Sequence, residues 1–299
     1  MGGSTGKAMI ETIVTFASEG ALLEGKLLAA AVGAPRPCIV MSHGFGAVAD
    51  QLLPQARAFA AAGFAVLLYD NPCFGRSGGE PRQEVDPVRQ VRGLRDAVSF
   101  ARTRTEVDRE RIGLWGSSLS GGNVILATAL DPRVACVVAQ VPFITGWRLV
   151  EGRPDGPALL AAMMGENEAR AGGAPPTMLP VTSGNGGSPI LLGKTAHAYF
   201  SPAAPLWRNE VTLSSMENLR AYEPGWWIER IAPRPLLMIV ADADRVTPSE
   251  DALDAFARAG EPKRLVMLKG GHFVAYDEEF ETSVTEAIGW FTEHLGTAG

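Results

Sequence analysis

The sequence predicts an α/β fold: a mostly parallel central sheet flanked by helices, carrying an inserted cap. Three observations predict it. Strand-like apolar runs alternate with helical patterns in both the first and last parts of the chain. That rhythm breaks across residues 143–229 and then resumes, so the interruption is an insertion between two strands. An apolar strand, Ile112–Trp115, also runs straight into a helix through the small residues Gly116–Gly122. The expected division is a core from residues 1–142 and 230–299, with 143–229 as the cap.

The elements follow in order. Ile10–Phe16 and Leu22–Ala30 are extended runs separated by Glu19-Gly20, which reads as a hairpin. Cys38–Met41 is a short buried strand opened by Pro37. Pro54–Ala62 is a helix stopped by Gly63. Ala65–Tyr69 is a strand. A long amphipathic helix starts at Asp86-Pro87, where Asp can cap and Pro can occupy the first turn, and it runs to about Arg102. Arg111–Trp115 is a strand, Ser118–Ala129 a helix and Val134–Gln140 a strand. After the insertion come the strand Pro235–Ala241, the helix Ser249–Ala259, the strand Arg264–Leu268 and a closing helix from about Glu278 to Leu295. No internal repeat is visible.

Composition narrows the function classes. Apolar residues make up 46% and charged residues 20% of the 299, an ordinary globular balance. With 27 basic and 33 acidic side chains the net charge is −6, and no basic stripe exists to neutralise phosphates. Nucleic acid and anionic membrane are therefore not expected partners. Arg89, Arg92, Arg95, Arg102 and Arg104 read as the solvated side of a helix. Met1–Lys7 lacks the pattern of a signal peptide, and no apolar run approaches the about 20 residues of a membrane span. Cys38, Cys73 and Cys136 are scattered, and no Cys/His pair has metal-ligand spacing, so buried thiols and a cytoplasmic location are expected. No metal or organic cofactor is implied.

The sharpest chemical feature is the strand-to-helix junction. A tight G-x-S-x-G-like turn can hold a serine in a strained conformation at a helix N-terminus, where developing negative charge is favoured. Ser118 fits best, with Gly116 two residues before it and Ser120 two after. Ser120 would sit inside the first helical turn, and Ser117 would put Trp115 where there is no room. A serine hydroxyl needs a base, and the base needs an orienting group. Of four histidines, His272 lies in Gly270-Gly271-His272-Phe273, just past the last apolar strand. His294 reads as surface, His197 is open between surface and pocket, and His43 reads as structural. The acid should follow the next-to-last strand. Asp244 in Asp244-Arg245-Val246-Thr247-Pro248 is favoured, with Asp242 as its rival and more suited to bonding the turn backbone. The developing oxyanion needs donors, and the backbone amides of Phe45 and Leu119 are the expected pair.

These motifs together resemble the α/β-hydrolase superfamily over about Ile10–Leu295. HGFG at His43–Gly46, YDNPCFGRSGG at Tyr69–Gly79, GSSLSGG at Gly116–Gly122, DADRVTP at Asp242–Pro248 and GGHF at Gly270–Phe273 occur in the expected order. The chain order Ser118, Asp244, His272 also fits. The stretch from Glu80 to Pro87, with Ser120 in the junction, is similar to dienelactone-hydrolase-like and polyketide-pathway hydrolases. The resemblance departs at Asn71-Pro72, where family members often carry D-x-R-G. It implies a serine hydrolase acting on a small-molecule ester or thioester through an acyl-enzyme. An acyltransferase, a C–C bond hydrolase or a peptidase would use the same residues, and a non-catalytic ligand receptor is the other class.

In this resemblance the insertion covers the active site. It holds Trp147, Tyr199, Trp207, Trp226 and Trp227, expected to line an apolar acyl or aromatic pocket, together with Phe200, Tyr222, Met163, Met164, Met178 and Met216. Gly172–Pro176 and Ser183–Pro189 read as loops or hinges of a lid.

Overall fold

Apolar runs buried on both faces are what the centre of a parallel sheet requires. The computed structural model of the chain describes residues 9–30, 33–151, 153, 155–183, 189–200 and 204–296. Met1–Lys7, and residues 184–188 of the second expected hinge, lie outside them. Strands β1 (Met9–Ser18) and β2 (Ala21–Ala30) form the expected hairpin. Its two turn residues, Glu19 and Gly20, have φ of 46° and 78°, the left-handed pair that matches strand twist. Next come β3 (Arg36–Ser42), α1 (Leu53–Ala61), β4 (Ala65–Tyr69), α2 (Pro87–Ala101), β5 (Val107–Ser117), α3 (Leu119–Leu130) and β6 (Cys136–Gln140). Asp86 caps α2, accepting the Arg89 N–H at 3.0 Å, and Pro87 opens the first turn.

The insertion is more regular than its sequence pattern indicates. It contains α4 (Arg148–Glu151), α5 (Gly156–Ala171), β7 (Met178–Leu179), α6 (Lys194–Phe200), β8 (Val211–Thr212) and α7 (Ser214–Arg220). A tight helical stretch, Pro224–Arg230, closes it. The longest helix, α5, buries only Gly156, Met163 and Glu166, so its sequence carries no apolar stripe to read. The core resumes with β9 (Leu236–Ala241), α8 (Ser249–Arg258), β10 (Lys263–Leu268) and α9 (Phe280–Leu295).

Among the described residues eight strands make one sheet in the order β1-β2-β4-β3-β5-β6-β9-β10. The pairs β1–β2 and β2–β4 are antiparallel and the others parallel. Alternation splits the core into two layers. Cys38 and Val40 face a layer built with α2, α3 and α8, while Ile39 and Met41 face one built with α1 and α9. Strand β3 lies between β4 and β5, so the chain is wound to opposite sides from it. The carboxyl ends of β3 and β5 then flank the crevice where ligands bind in open α/β sheets.

The insertion is fastened beside that crevice. The Val85 N–H donates to Ser215 Oγ at 2.8 Å, Asn218 Nδ2 donates to the Val85 carbonyl at 3.1 Å, and Gln83 Nε2 donates to the Glu210 carbonyl at 2.9 Å. His294, expected at the surface, is half-buried, its ring 4.2 Å from that of Trp290. Among the described residues no helix is long and apolar enough to cross a membrane.

On the far layer, fully buried Phe291 packs edge-on to Phe59 and Phe64, with ring centroids 5.9 and 6.1 Å apart. It fills the space over Gly113, where a Cβ would lie 2.7 Å from its ring. Phe291→Ala should destabilise the protein by about 3–5 kcal/mol, measured as a lower urea midpoint at unchanged slope.

Candidate active site

The junction after β5 is dictated by crowding. A Cβ on Gly116 would lie 2.2 Å from the Ser120 carbonyl oxygen, so only glycine lets α3 start this close to the strand. Ser118 turns the chain with φ 60° and ψ −125°, a conformation that non-glycine residues rarely adopt. Its backbone is clamped there. Its N–H donates to the Gln140 carbonyl at 3.0 Å and its carbonyl accepts from the Phe143 N–H at 2.9 Å. The rival serines are occupied. Ser117 Oγ is 2.6 Å from the Tyr276 hydroxyl and accepts from Gln140 Nε2 at 3.0 Å. Ser120 is fully buried, with its Oγ 3.0 Å from that of Ser42.

Ser118 Oγ lies 3.0 Å from His272 Nε2, and His272 Nδ1 lies 2.7 Å from Asp244 Oδ2. His272 and Asp244 are buried and Ser118 is half-buried. An ionised carboxylate only accepts, so Nδ1 carries the imidazole proton and Nε2 is free to accept the serine proton. The other Asp244 oxygen accepts the N–H groups of Val246 and Thr247 at 2.8 and 3.0 Å, which fixes the carboxylate. Asp242 does a different job: its Oδ1 accepts the Gly270 N–H at 2.7 Å and ties down the loop that carries His272.

Phe45 and Leu119 border the same cavity as Ser118. Leu119 is the first residue of α3, where backbone N–H groups lack partners within the helix. Gly44 lets the loop after β3 come close, since a Cβ there would crowd the Ser117 carbonyl oxygen at 3.1 Å and the Ser118 Cβ at 3.3 Å. His43 is buried beneath this loop. Its Nδ1–H donates to the Gly44 carbonyl at 2.9 Å and its Nε2 accepts the Asn71 N–H at 3.0 Å. Burial holds its pKa below the usual histidine value.

A cavity of about 550 Å³ opens on Ser118. Its walls are mainly aliphatic, with Leu149, Ile190, Leu191 and Leu219 from the insertion facing Pro142 and Phe143. The expected aromatic residues sit elsewhere. Trp147 is exposed, with Arg220 over its ring at 4.5 Å. Trp226 and Trp227 are also exposed, the first at 77%. Their rings cover outer surface and take no part in the cavity wall. Trp207 is a brace: its indole N–H donates to the Gly46 carbonyl at 2.9 Å, and its ring stacks on Phe200 at 5.3 Å. Tyr199 borders a small recess beside His272 and packs against Phe273 and Tyr276. Met163 and Met216 are buried in packing, whereas Met164 and Met178 are exposed.

A serine, a histidine and an aspartate hydrogen-bonded in series at the carboxyl ends of β5, β10 and β9 accord with the comparisons to known proteins. The family model described as "Alpha/beta hydrolase family" matches residues 39–282. The chain belongs to the alpha/beta hydrolase family. Similar curated proteins include thiohydrolase aneE of Aspergillus aculeatus, 35% identical over 83% of this chain and 81% of that protein. Polyketide transferase grgF of a Penicillium species is 31% identical over 87% of this chain and 88% of its own. The crystal structure of GrgF superimposes with a TM-score of 0.84, covering 96% of this chain and 99% of that one at 29% identity. This alpha/beta hydrolase is thus an enzyme of the hydrolase group, and its relatives bracket its chemistry between hydrolysis and acyl transfer.

One residue of this candidate site was not singled out in the sequence. Thr247 Oγ1 lies 3.1 Å from His272 Nδ1, 2.9 Å from Asp244 Oδ2 and 3.0 Å from the Val141 carbonyl. It can accept a share of the Nδ1–H while donating its own proton to one of the two oxygens. Its position within the D-x-V-x-P stretch was the available signal. Thr247→Val should slow labelling of Ser118 by a fluorophosphonate about fivefold, and Thr247→Ser should restore most of the rate.

Proposed function

We propose that the protein cleaves a carboxylic ester or thioester through an acyl-enzyme on Ser118. The observation that carries this reading is the unbroken chain Ser118–His272–Asp244, with contacts of 3.0 and 2.7 Å. His272 takes the serine proton as Oγ attacks the carbonyl carbon. The amides of Phe45 and Leu119 receive the oxyanion, and the protonated imidazole passes its proton to the leaving group. Asp244 holds the ring and stabilises its charged form. Water, activated by the same histidine, then attacks the acyl-enzyme and releases the acid. The aliphatic cavity suits an apolar acyl group or ring, and relatives named thiohydrolase and polyketide transferase favour thioesters among the substrates.

Water is the acceptor in this reading, and a small recess bordered by Ser118, His272 and Tyr199 lies beside the histidine that would activate it. Residues 143–229 serve in this reading as a lid, with the loop Gly172–Pro176 as its flexible edge.

Ser118→Ala should reduce turnover of octanoyl thioesters and p-nitrophenyl esters by about a thousandfold or more and abolish fluorophosphonate labelling. Substantial residual turnover would remove the assignment. Dilute protease should cut first at Gly172–Pro176, and a covalent inhibitor on Ser118 should slow that cut; equal rates would argue for a fixed cover.

A further inference from the structure

The walls of the cavity and its mouth differ in chemistry. Among the described residues four that line the cavity are exposed and mark the rim: Arg148, Leu192, Gly193 and Arg245. Among the same residues three arginines but a single carboxylate, Asp251, border the cavity, in a chain whose net charge is −6. Two of the arginines are spoken for. Arg153 forks onto Asp155 at 2.8 and 3.0 Å and donates to the Ile190 carbonyl at 2.9 Å. Arg148 pairs with Asp251 at 2.7 Å, though its side chain remains 64% exposed. Arg245 makes no hydrogen bond or ion pair with any described residue. The carboxylates nearest to Asp251, those of Glu223, Glu250 and Asp254, do not border the cavity. The neighbouring Asp244 is fully engaged by His272, Val246 and Thr247.

We propose that the mouth of the cavity selects substrates carrying an anionic group, with Arg245 as its principal partner and Arg148 beside it. This rests on the reading of Ser118 as the acyl-accepting serine. The substrate is then amphiphilic. Its apolar acyl portion lies among Leu149, Ile190 and Leu219, and a phosphate or carboxylate remains at the rim. A guanidinium meets either anion with paired N–H donors, and the apolar walls behind it strengthen the attraction by excluding water. The anion can belong to the leaving group, as in a phosphate-bearing thiol, or to the far end of the acyl group.

Binding to the Ser118→Ala protein separates these sources without requiring turnover. Calorimetric titration would compare octanoyl-coenzyme A with S-octanoyl-N-acetylcysteamine, and the monomethyl ester of octanedioic acid with methyl octanoate. In one pair the anionic member should bind about fivefold more tightly at low salt. The preference should fade at high salt and disappear when Arg245→Gln is added, while Arg245→Lys should keep part of it. A preference in the first pair places the anion on the leaving group, and in the second on the acyl end. Equal binding within both pairs, or a preference that survives Arg245→Gln, overturns the proposal. Turnover of the neutral thioester by the unmodified protein tests the serine assignment separately. Turnover without an anion preference removes only the mouth, and an anion preference without turnover removes only the acyl-enzyme.

Discussion

The close approach of α3 to the end of β5 is the constraint on which the site depends. Gly116 permits it, and Ser118 absorbs it in a backbone conformation that costs about 1–3 kcal/mol. Such strain persists only where the surroundings over-determine it. Here β6 and the loop that follows it do so, through the Gln140 carbonyl on one side of Ser118 and the Phe143 N–H on the other. Were the turn to relax, Ser118 Oγ would leave the reach of His272. Ser117 and Ser120 belong to the same device. Each ties the junction to a neighbour, Ser117 to Tyr276 and Gln140, Ser120 to Ser42, so their hydroxyls are not available for chemistry.

Two buried histidines on adjoining loops illustrate how surroundings divide labour. Both ring nitrogens of His43 are satisfied by backbone, one by a carbonyl and one by an N–H. A proton added at Nε2 would face a donor, so the ring stays neutral and serves as a post between the loops after β3 and β4. His272 has only its Nδ1 side saturated, by Asp244 and Thr247. Its Nε2 looks towards Ser118, where a proton can arrive and leave. Two imidazoles of similar burial therefore differ in what they can do because of one hydrogen-bond partner each.

The parts of the molecule governed by local rules were legible in the sequence. The hairpin was announced by Glu19-Gly20, the central strands by uninterrupted apolar runs, and α2 by Asp86-Pro87. That Ser118, Asp244 and His272 would meet was legible because chain order and loop placement leave few alternatives. Asp242 competed with Asp244 on paper because both sit in the same turn; in space Asp242 takes the Gly270 N–H while Asp244 meets the His272 ring. The structure of residues 143–229 was not legible. Their helices bury few side chains each, so no periodicity marks them, and residue type does not say which side chains will reach a cavity. Trp147, Trp226 and Trp227 have the chemistry of pocket residues and are exposed, while the aliphatic Ile190 and Leu191 line the cavity. Trp207 faces inward, but an indole N–H needs an acceptor, and the Gly46 carbonyl draws it into a bracing role.

The same geometry bears on how one fold can serve both hydrolysis and acyl transfer. The first half-reaction needs only the serine, the histidine and the oxyanion donors. The second depends on what can approach the acyl-enzyme from the side of His272 Nε2. Tyr199, Phe273 and Tyr276 border the recess on that side, their rings packed within 4.8 to 6.2 Å of one another. On the proposed mechanism Tyr199, expected from the sequence to contact the acyl group, would instead border the approach of the second nucleophile, because it lines the recess beside His272.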